Sequence, residues 1–147
     1  MEWTRDGYTI SDDRDRVDRD AVFRFLSEDS YWAAGLEREV LDRALDGSLC
    51  FGLYAPDGAL AGFGRMVTDR ATYGYMADVF VLSEHRGRGL GSWLVQTIVD
   101  HPELSTLRRL VLFTADGHEL YARFGFGPSA NPEHLMERRR EGGPAGG

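Results

Sequence analysis

A short glycine-rich stretch carries the clearest chemical signal in this sequence. Residues 86–91 read RGRGLG and lie between an apolar run at residues 79–82 and a helical pattern at residues 90–98. Glycines let a backbone turn sharply and expose successive N–H groups. A helix that begins directly after such a turn adds unpaired N–H donors and a partial positive charge. The stretch therefore predicts a binding site for a ligand that carries phosphate, such as a pyrophosphate.

The spacing of the glycines distinguishes between known phosphate-binding patterns. A Rossmann fingerprint needs a further glycine where this chain has Ser92, and no P-loop string occurs in the sequence. The pattern present is [QR]-x-x-G-x-[GA], formed by Arg86, Gly89 and Gly91. Together with Val79-x-Val81 directly before it, this pattern resembles the acyl-coenzyme A (acyl-CoA) motif of the GCN5-related N-acetyltransferase (GNAT) family.

A second segment, residues 114–126, resembles another motif of the same family, N-x-x-A-x-x-L-Y-x-K-x-G-F. Arg123 replaces the usual lysine, and Thr114 stands where asparagine is common. The direct matches are Leu120, Tyr121, Gly125 and Phe126. The two motifs cover roughly residues 73–126, and they leave the acyl acceptor unspecified.

The resemblance implies an acetyl transfer in which an amine attacks the thioester of acetyl-CoA directly. Tyr121 occupies the position of the general acid that protonates the leaving thiolate. A backbone N–H near Val79 and Phe80 is the family's donor to the developing oxyanion. The resemblance assigns cofactor binding to Val79, Phe80, Val81, Arg86, Gly87, Arg88, Gly89, Leu90, Gly91, Ser92, Thr114 and Arg123.

The base that deprotonates the amine is less well defined by the sequence than the general acid is. Asp78 is the first candidate because it lies on the strand that enters the acyl site. Strand alternation turns it to the face opposite Val79 and Val81 unless a bulge intervenes. Glu84, His118 and a water chain without a dedicated base are the alternatives.

The acceptor pocket is expected between the loop at residues 30–35 and the strands at residues 63–75. Aromatic side chains there either line a cleft for an amine or serve as ordinary packing residues. The candidate acceptor-binding residues are Tyr31, Trp32, Phe63, Arg65, Tyr73 and Tyr75.

Length, charge and cysteine content restrict the class of protein. The 147 residues predict one domain, placed at residues 1–137, and a disordered tail at residues 138–147. A net charge of −7 argues against nucleic-acid binding by the arginines at 86–88 and 138–140. A lone buried cysteine, Cys50, allows no disulfide framework or metal cluster, and we expect no metal. Without a signal peptide or a long apolar span, we expect a cytoplasmic protein that does not contact membranes.

Periodicity and turn signals predict the elements that must position these residues. Helices are expected at residues 21–26, 36–45, 90–100 and shortly after 116, and strands at residues 8–11 (an edge strand), 48–54, 60–68, 73–82, 109–114 and 134–137. The order β-α-α-β-β-β-α-β-α-β predicts an α/β fold with a mixed, largely antiparallel sheet and helices on both faces. This order matches the fold of the GNAT family.

The resulting hypothesis is an acetyl-CoA-dependent N-acetyltransferase that acts on a primary amine, a small molecule rather than a protein. One alternative is a non-catalytic regulatory module that binds acyl-CoA, and another is an acyltransferase that uses a different acyl-CoA. Members of the family are often dimers, so a homodimer is included among the expected partners.

Overall fold

The computed structural model describes residues 1–140, and these form one six-stranded sheet with helices on both faces. The strands are β1 (Glu2–Arg5), β2 (Tyr8–Ser11), β3 (Leu49–Tyr54), β4 (Leu60–Thr68), β5 (Tyr73–Val81) and β6 (Arg109–Val111). The helices are α1 (Arg19–Arg24), α2 (Arg38–Asp46), α3 (Leu90–Val99) and α4 (His118–Ala122). The strands lie side by side in chain order, and every pair is antiparallel except β5 with β6. The predicted fold class is therefore confirmed.

Each face of the sheet carries its own apolar core. On one face, Phe51 and Met66 pack in a cluster with buried side chains of α3. On the other face, Phe63 and Phe80 pack with side chains of α1 and α2. Burial on both faces explains why β3 reads as a continuous apolar run rather than as an alternating strand.

The chain begins with a hairpin that the sequence pattern does not predict. β1 pairs with β2, and the turn residues Asp6 and Gly7 both have positive φ angles. β2 therefore lies between β1 and β3, so its expected position at the sheet edge is wrong. β1 shows no alternation because Trp3 is the one residue in it that is partly buried. The Asp6-Gly7 pair was the sequence signal for this hairpin, since Asp-Gly is strongly preferred in two-residue hairpin turns.

The segment expected as a final strand, residues 134–137, forms no strand. A 3₁₀ turn ends at His134, and the side chains of Leu135 and Met136 are exposed. Successive side chains of a strand point to opposite faces, so these two adjacent apolar residues cannot share one buried face. The element order therefore differs from the expected one at both ends of the chain.

The charged segment at residues 12–20, which contains no apolar pattern, is partly helical. It includes a 3₁₀ turn at Arg14–Arg16 and the start of α1. Asp18 caps α1, because its Oδ1 accepts the N–H of Ala21 at 3.1 Å. A π-helical turn, Phe25–Asp29, follows α1 directly. The expected helices at residues 21–26 and 36–45 are thus present with shifted boundaries.

The predicted division of the chain is only partly covered by the described residues. Arg138–Arg140 are exposed and carry no regular secondary structure. The remainder of the predicted tail, residues 141–147, lies outside the described residues. The domain boundary after residue 137 stays a prediction.

The parallel pair of strands separates soon after it forms. Tyr73–Tyr75 of β5 pair with Arg109–Val111 of β6, and within the described residues the pairing goes no further. β6 therefore ends before the expected boundary at residue 114, because the chain diverges from β5 there. Beyond Tyr75, the edge of β5 that faces β6 has no strand partner in the described part of the chain.

Candidate active site

The glycine turn lies where β5 ends and α3 begins, as the sequence predicts. Gly87 and Gly89 have φ angles of 81° and 75°, a left-handed conformation that glycine adopts without steric strain. Gly89 is the N-cap residue of α3, and among residues 1–140 no side chain caps this helix. The first N–H groups of a helix lack partners within the helix. Those of α3 are therefore available to an anion.

The two arginines of the turn have different surroundings. Nε of Arg86 donates a hydrogen bond to the carbonyl oxygen of Val81 at 2.9 Å, which ties the turn to the end of β5. Arg88 is exposed to solvent. Arg86 therefore shapes the turn as well as adding charge to it.

A β-bulge interrupts β5 next to the turn. Phe63 faces Phe80 and Arg65 faces Ala77, so one residue of β4 lies opposite two residues of β5. Asp78 is one of the two and has a φ angle of 55°. Aspartate tolerates the left-handed region better than most residues do. The bulge therefore fixes the direction of the Asp78 side chain.

Asp78 is the centre of a buried polar network. Its Oδ2 accepts a hydrogen bond from Nε of Arg65 at 2.6 Å, and its Oδ1 accepts one from the Trp32 indole N–H at 2.9 Å. Nη1 of Arg65 in turn donates to the hydroxyl oxygen of Ser48 at 3.1 Å. The Asp78 side chain is 6% exposed. Each carboxylate oxygen has a second lone pair, so a role as base stays a prediction for Asp78.

The other base candidates lie elsewhere on the surface. Glu84 belongs to the 3₁₀ turn that precedes the glycine turn, and His118 begins α4. Both side chains are exposed. Asp78 is the one candidate of the three that is buried beside predicted acceptor residues.

Tyr121 lies in α4 and is partly buried. Its ring makes an edge-to-face contact with Phe126 at a centroid distance of 6.1 Å. Burial raises the pKa of Tyr121, and the neighbouring Tyr31 and Asp116 add to that effect. The phenol is therefore protonated at neutral pH, which is the state that a general acid requires.

Two further cofactor candidates flank Tyr121 in the chain. The hydroxyl oxygen of Thr114 accepts the N–H of Gly117 at 2.8 Å, which leaves the hydroxyl proton for another acceptor. Arg123 follows α4 and is exposed. Contacts of both residues with the cofactor stay predictions.

Tyr31 connects the loop after α1 to the segment before α4. Its hydroxyl accepts the N–H of Ala115 at 3.0 Å and donates to Oδ1 of Asp116 at 3.3 Å. Its ring makes an edge-to-face contact with Trp32 at 5.1 Å. Trp32 in turn reaches Asp78, so a series of contacts joins the predicted acceptor loop to the bulge of β5 and to the segment that precedes α4.

The remaining aromatic candidates differ in accessibility. Phe63 is 0% exposed and lies behind Phe80, with a ring distance of 6.2 Å, so it does not reach the surface. Tyr75 packs edge-to-face on Phe113 at 5.7 Å. Tyr73, 45% exposed, lies at the start of β5. The burial of Phe63 argues against its predicted contact with the acceptor, and the contacts of Tyr73 and Tyr75 stay predictions.

Two residues of the site were not among the sequence candidates. Ser48 completes the polar network around Arg65, and the ring of Phe25 stacks on Phe80 at 4.0 Å. Both contacts join positions that are far apart in the chain, and no local pattern signals them.

Comparison with known proteins decides the family. Residues 12–126 match the sequence model of the acetyltransferase (GNAT) family. The chain belongs to this family. The resemblance seen in the two sequence motifs is therefore confirmed, and this GNAT protein is a member of a family of acetyltransferases that use acetyl-CoA.

Individual proteins agree with the assignment. A crystal structure from Xanthomonas campestris pv. campestris, named as a GNAT-family acetyltransferase, has 44% identity and a TM-score of 0.88, covering 92% of this chain and 94% of that one. A Gibberella zeae protein named as an acetyltransferase is 35% identical, covering 82% of this chain and 79% of its own. A Mycobacterium tuberculosis protein solved in complex with CoA has 21% identity and a TM-score of 0.64, covering 79% and 69%. The last supports the fold alone.

One structural observation bears on the expected location. No helix in residues 1–140 is both long and apolar enough to cross a membrane. The homodimer, the absence of nucleic acid and of metal, and the cytoplasmic location all stay predictions for this GNAT protein.

Proposed function

We propose that this GNAT protein transfers an acetyl group from acetyl-CoA to a primary amine of a small molecule, with both substrates bound together. The observation that carries the proposal is the glycine turn. It presents the N-terminus of α3, which no side chain of residues 1–140 caps, and it follows β5, whose edge beyond Tyr75 has no strand partner in the same residues. An anion fits the first feature and an extended chain fits the second. Coenzyme A has a pyrophosphate and an extended pantetheine arm in that order.

Backbone groups of this chain hold the donor. The N–H groups of residues 87–92 bind the pyrophosphate, since that of Arg86, also predicted as a donor, already donates to the carbonyl oxygen of Ser83 at 3.4 Å. The backbone of Val79, Phe80 and Val81 pairs with the pantetheine arm as an added strand would. A backbone N–H near Val79 and Phe80 stabilises the charge that develops on the thioester oxygen. Acetyl-CoA supplies the activated acyl group, and the fixed position of its thioester accelerates attack by the amine.

Proton transfer is assigned to two side chains. The amine nitrogen forms a bond to the carbonyl carbon, and the carbon–sulfur bond breaks. Tyr121 donates its hydroxyl proton to the leaving thiolate, and a pKa raised above 10.0 means that the phenol is protonated at neutral pH. Asp78 accepts the proton that the amine loses, directly or through water.

The acceptor approaches from the side of the sheet that carries α1 and α2. Asp78, Arg65 and Trp32 lie on that side, and Tyr31 extends the same wall towards α4. Aromatic rings beside a carboxylate suit a cationic amine. The predicted acceptor site lies between the packed rings of Phe25 and Phe80 and the short loop at residues 30–35. Such a site favours a small acceptor over a protein.

A screen of primary amines with acetyl-CoA tests the proposal, with release of the CoA thiol as the readout. At least one amine should give turnover above the rate of thioester hydrolysis. Binding of CoA without turnover on any amine would favour the non-catalytic alternative. Faster turnover with propionyl- or succinyl-CoA would favour a different acyl donor.

The role of Asp78 has a separate test. Asp78→Asn keeps an acceptor for Trp32 and tolerates the left-handed backbone, but it removes the base. We expect turnover to fall by about 10²–10⁴ at neutral pH and to recover partly as pH rises towards the pKa of the amine. Turnover within threefold of the parent would leave deprotonation to water.

A further inference from the structure

The hairpin of β1 and β2 contacts the glycine turn at two points. Nη2 of Arg5 lies 3.7 Å from the position that a Cβ atom on Gly89 would occupy. The hydroxyl of Tyr8 lies 2.9 Å from Nδ1 of His85, directly before the turn. The end of β1 and the start of β2 therefore both lie against the predicted phosphate site, although neither belongs to a recognised motif.

The guanidinium of Arg5 is oriented but its charge is little neutralised. Its Cζ atom lies 5.9 Å from the centroid of the Trp93 ring in α3, a cation–π distance. Its one acidic contact in the described chain is Oδ2 of Asp6 at 3.9 Å, and the Asp6 side chain is 89% exposed. An ion pair that is this long and this exposed contributes little. The positive charge of Arg5 is thus available to a ligand at the turn.

We propose that Arg5 is a phosphate ligand of the CoA site, so that the N-terminal hairpin completes that site. The inference rests on the proposed function. A guanidinium presents a planar set of donors that matches phosphate oxygens in pairs. Its position beside Gly89 places it next to the N–H groups of the first turn of α3, so the two sets of donors face the same ligand.

The contact between Tyr8 and His85 positions the hairpin. Tyr8 is buried, and its ring makes an edge-to-face contact with the ring of His85 at 5.7 Å. The Tyr8–His85 contact joins β2 to the turn independently of Arg5. The hairpin therefore holds its place when Arg5 is replaced, which makes Arg5 a clean target for substitution.

Titration calorimetry with CoA tests the inference on the full chain. The variants are Arg5→Gln and, as a matched control, Arg43→Gln in α2, where Arg43 is exposed. We expect Arg5→Gln to weaken CoA binding by about ten- to a hundredfold, as loss of a charged hydrogen bond does. The salt dependence of binding should also become weaker, and Arg43→Gln should bind as the parent does.

A second ligand, 3′-dephospho-CoA, shows which phosphate group of CoA contacts Arg5. A loss that persists with this ligand assigns Arg5 to the pyrophosphate, and a loss that disappears assigns it to the 3′-phosphate; both support the inference. Arg5→Lys keeps the charge without the planar donors and should fall between the parent and Arg5→Gln. It also keeps the test valid if Arg5→Gln does not fold.

The two proposals fail in different ways. If the parent protein does not bind CoA, the proposed function is wrong and the role of Arg5 falls with it. If the parent binds CoA and both Arg5 variants bind within twofold of it, Arg5 is not a ligand, while the proposed function stands.

Discussion

Nε of Arg65 lies 2.6 Å from Oδ2 of Asp78, in an ion pair that joins β4 to the bulge of β5. The side chains are 13% and 6% exposed, so solvent compensates only in part when one partner is removed. The indole N–H of Trp32 binds the second oxygen of the same carboxylate. Together these two contacts on Asp78 join β4 and the predicted acceptor loop to β5.

Removal of one partner should destabilise the protein strongly. Asp78→Ala leaves the guanidinium of Arg65 buried without its counter-charge, and it places alanine at a φ angle of 55°. We expect the free energy of unfolding to fall by about 3–5 kcal/mol. Urea unfolding monitored by tryptophan fluorescence measures the change.

A double-mutant cycle separates the ion pair from the backbone effect. Arg65→Leu with Asp78→Ala should lose less stability than the sum of the two single losses, because no unpaired charge remains. Asp78→Asn isolates the charge, since asparagine tolerates the left-handed backbone. Additive losses would show that the two side chains contribute independently.

Local patterns predicted the parts of the site that lie close together in the chain. The glycine turn was predictable because its donors come from consecutive residues between a strand and a helix. The polar network around Asp78 was not, because Arg65, Trp32 and Ser48 come from three separate segments of the chain. The bulge in β5 could not be predicted from local sequence either, since it arises from the register of β4 on β5.

Errors in the fold occur where a segment buries little apolar surface. β1 has one partly buried side chain, so its strand character comes from pairing rather than from alternation. Residues 134–137 have apolar side chains but no buried face to place them on. Hydrophobic periodicity reflects which side chains are buried. It therefore does not indicate a strand that is formed by backbone pairing alone.

Tyr121→Phe should lower turnover by about 10²–10⁴ while CoA affinity stays nearly unchanged, because only the hydroxyl is removed. Burial raises the pKa of Tyr121 above its ordinary value of 10.0. Deprotonation of this group should therefore not reduce parent turnover until the pH exceeds 10. Steady-state kinetics from pH 7 to 10, with calorimetry for CoA, measure both effects.

Tyr54→Phe is the matched control for that substitution. The hydroxyl of Tyr54 donates to the carbonyl oxygen of Arg16 at 3.1 Å in a structural contact, so its loss should affect stability but not turnover. If Tyr121→Phe also keeps turnover within threefold, Tyr121 is a packing residue.

The buried thiol of Cys50 should make stability fall at alkaline pH. Burial raises its pKa from 9.0 to about 11, so the folded protein keeps a proton that the unfolded chain releases. This contribution is fully present below pH 9 and is lost as pH rises to about 11. Urea unfolding at pH 8 and 10.5 should show a loss on the order of 2 kcal/mol from this group.

Cys50→Ala removes the titrating group. The variant should be less stable than the parent at pH 8 but lose less stability between the two pH values. Equal losses in both proteins would mean that Cys50 does not titrate differently in the folded and unfolded states.

The most direct test of the central claim, that CoA binds at the glycine turn, is a thermal titration with CoA of the parent, Gly89→Val and Gly58→Val. Both glycines have left-handed φ angles, and a Cβ atom on Gly58 would meet nothing within 4 Å. CoA should raise the melting temperature of the parent and of Gly58→Val in a dose-dependent way. Gly89→Val should melt cooperatively without responding to CoA, because its side chain blocks the anion site. An equal shift in Gly89→Val, or no shift in the parent, would contradict the assignment of this turn.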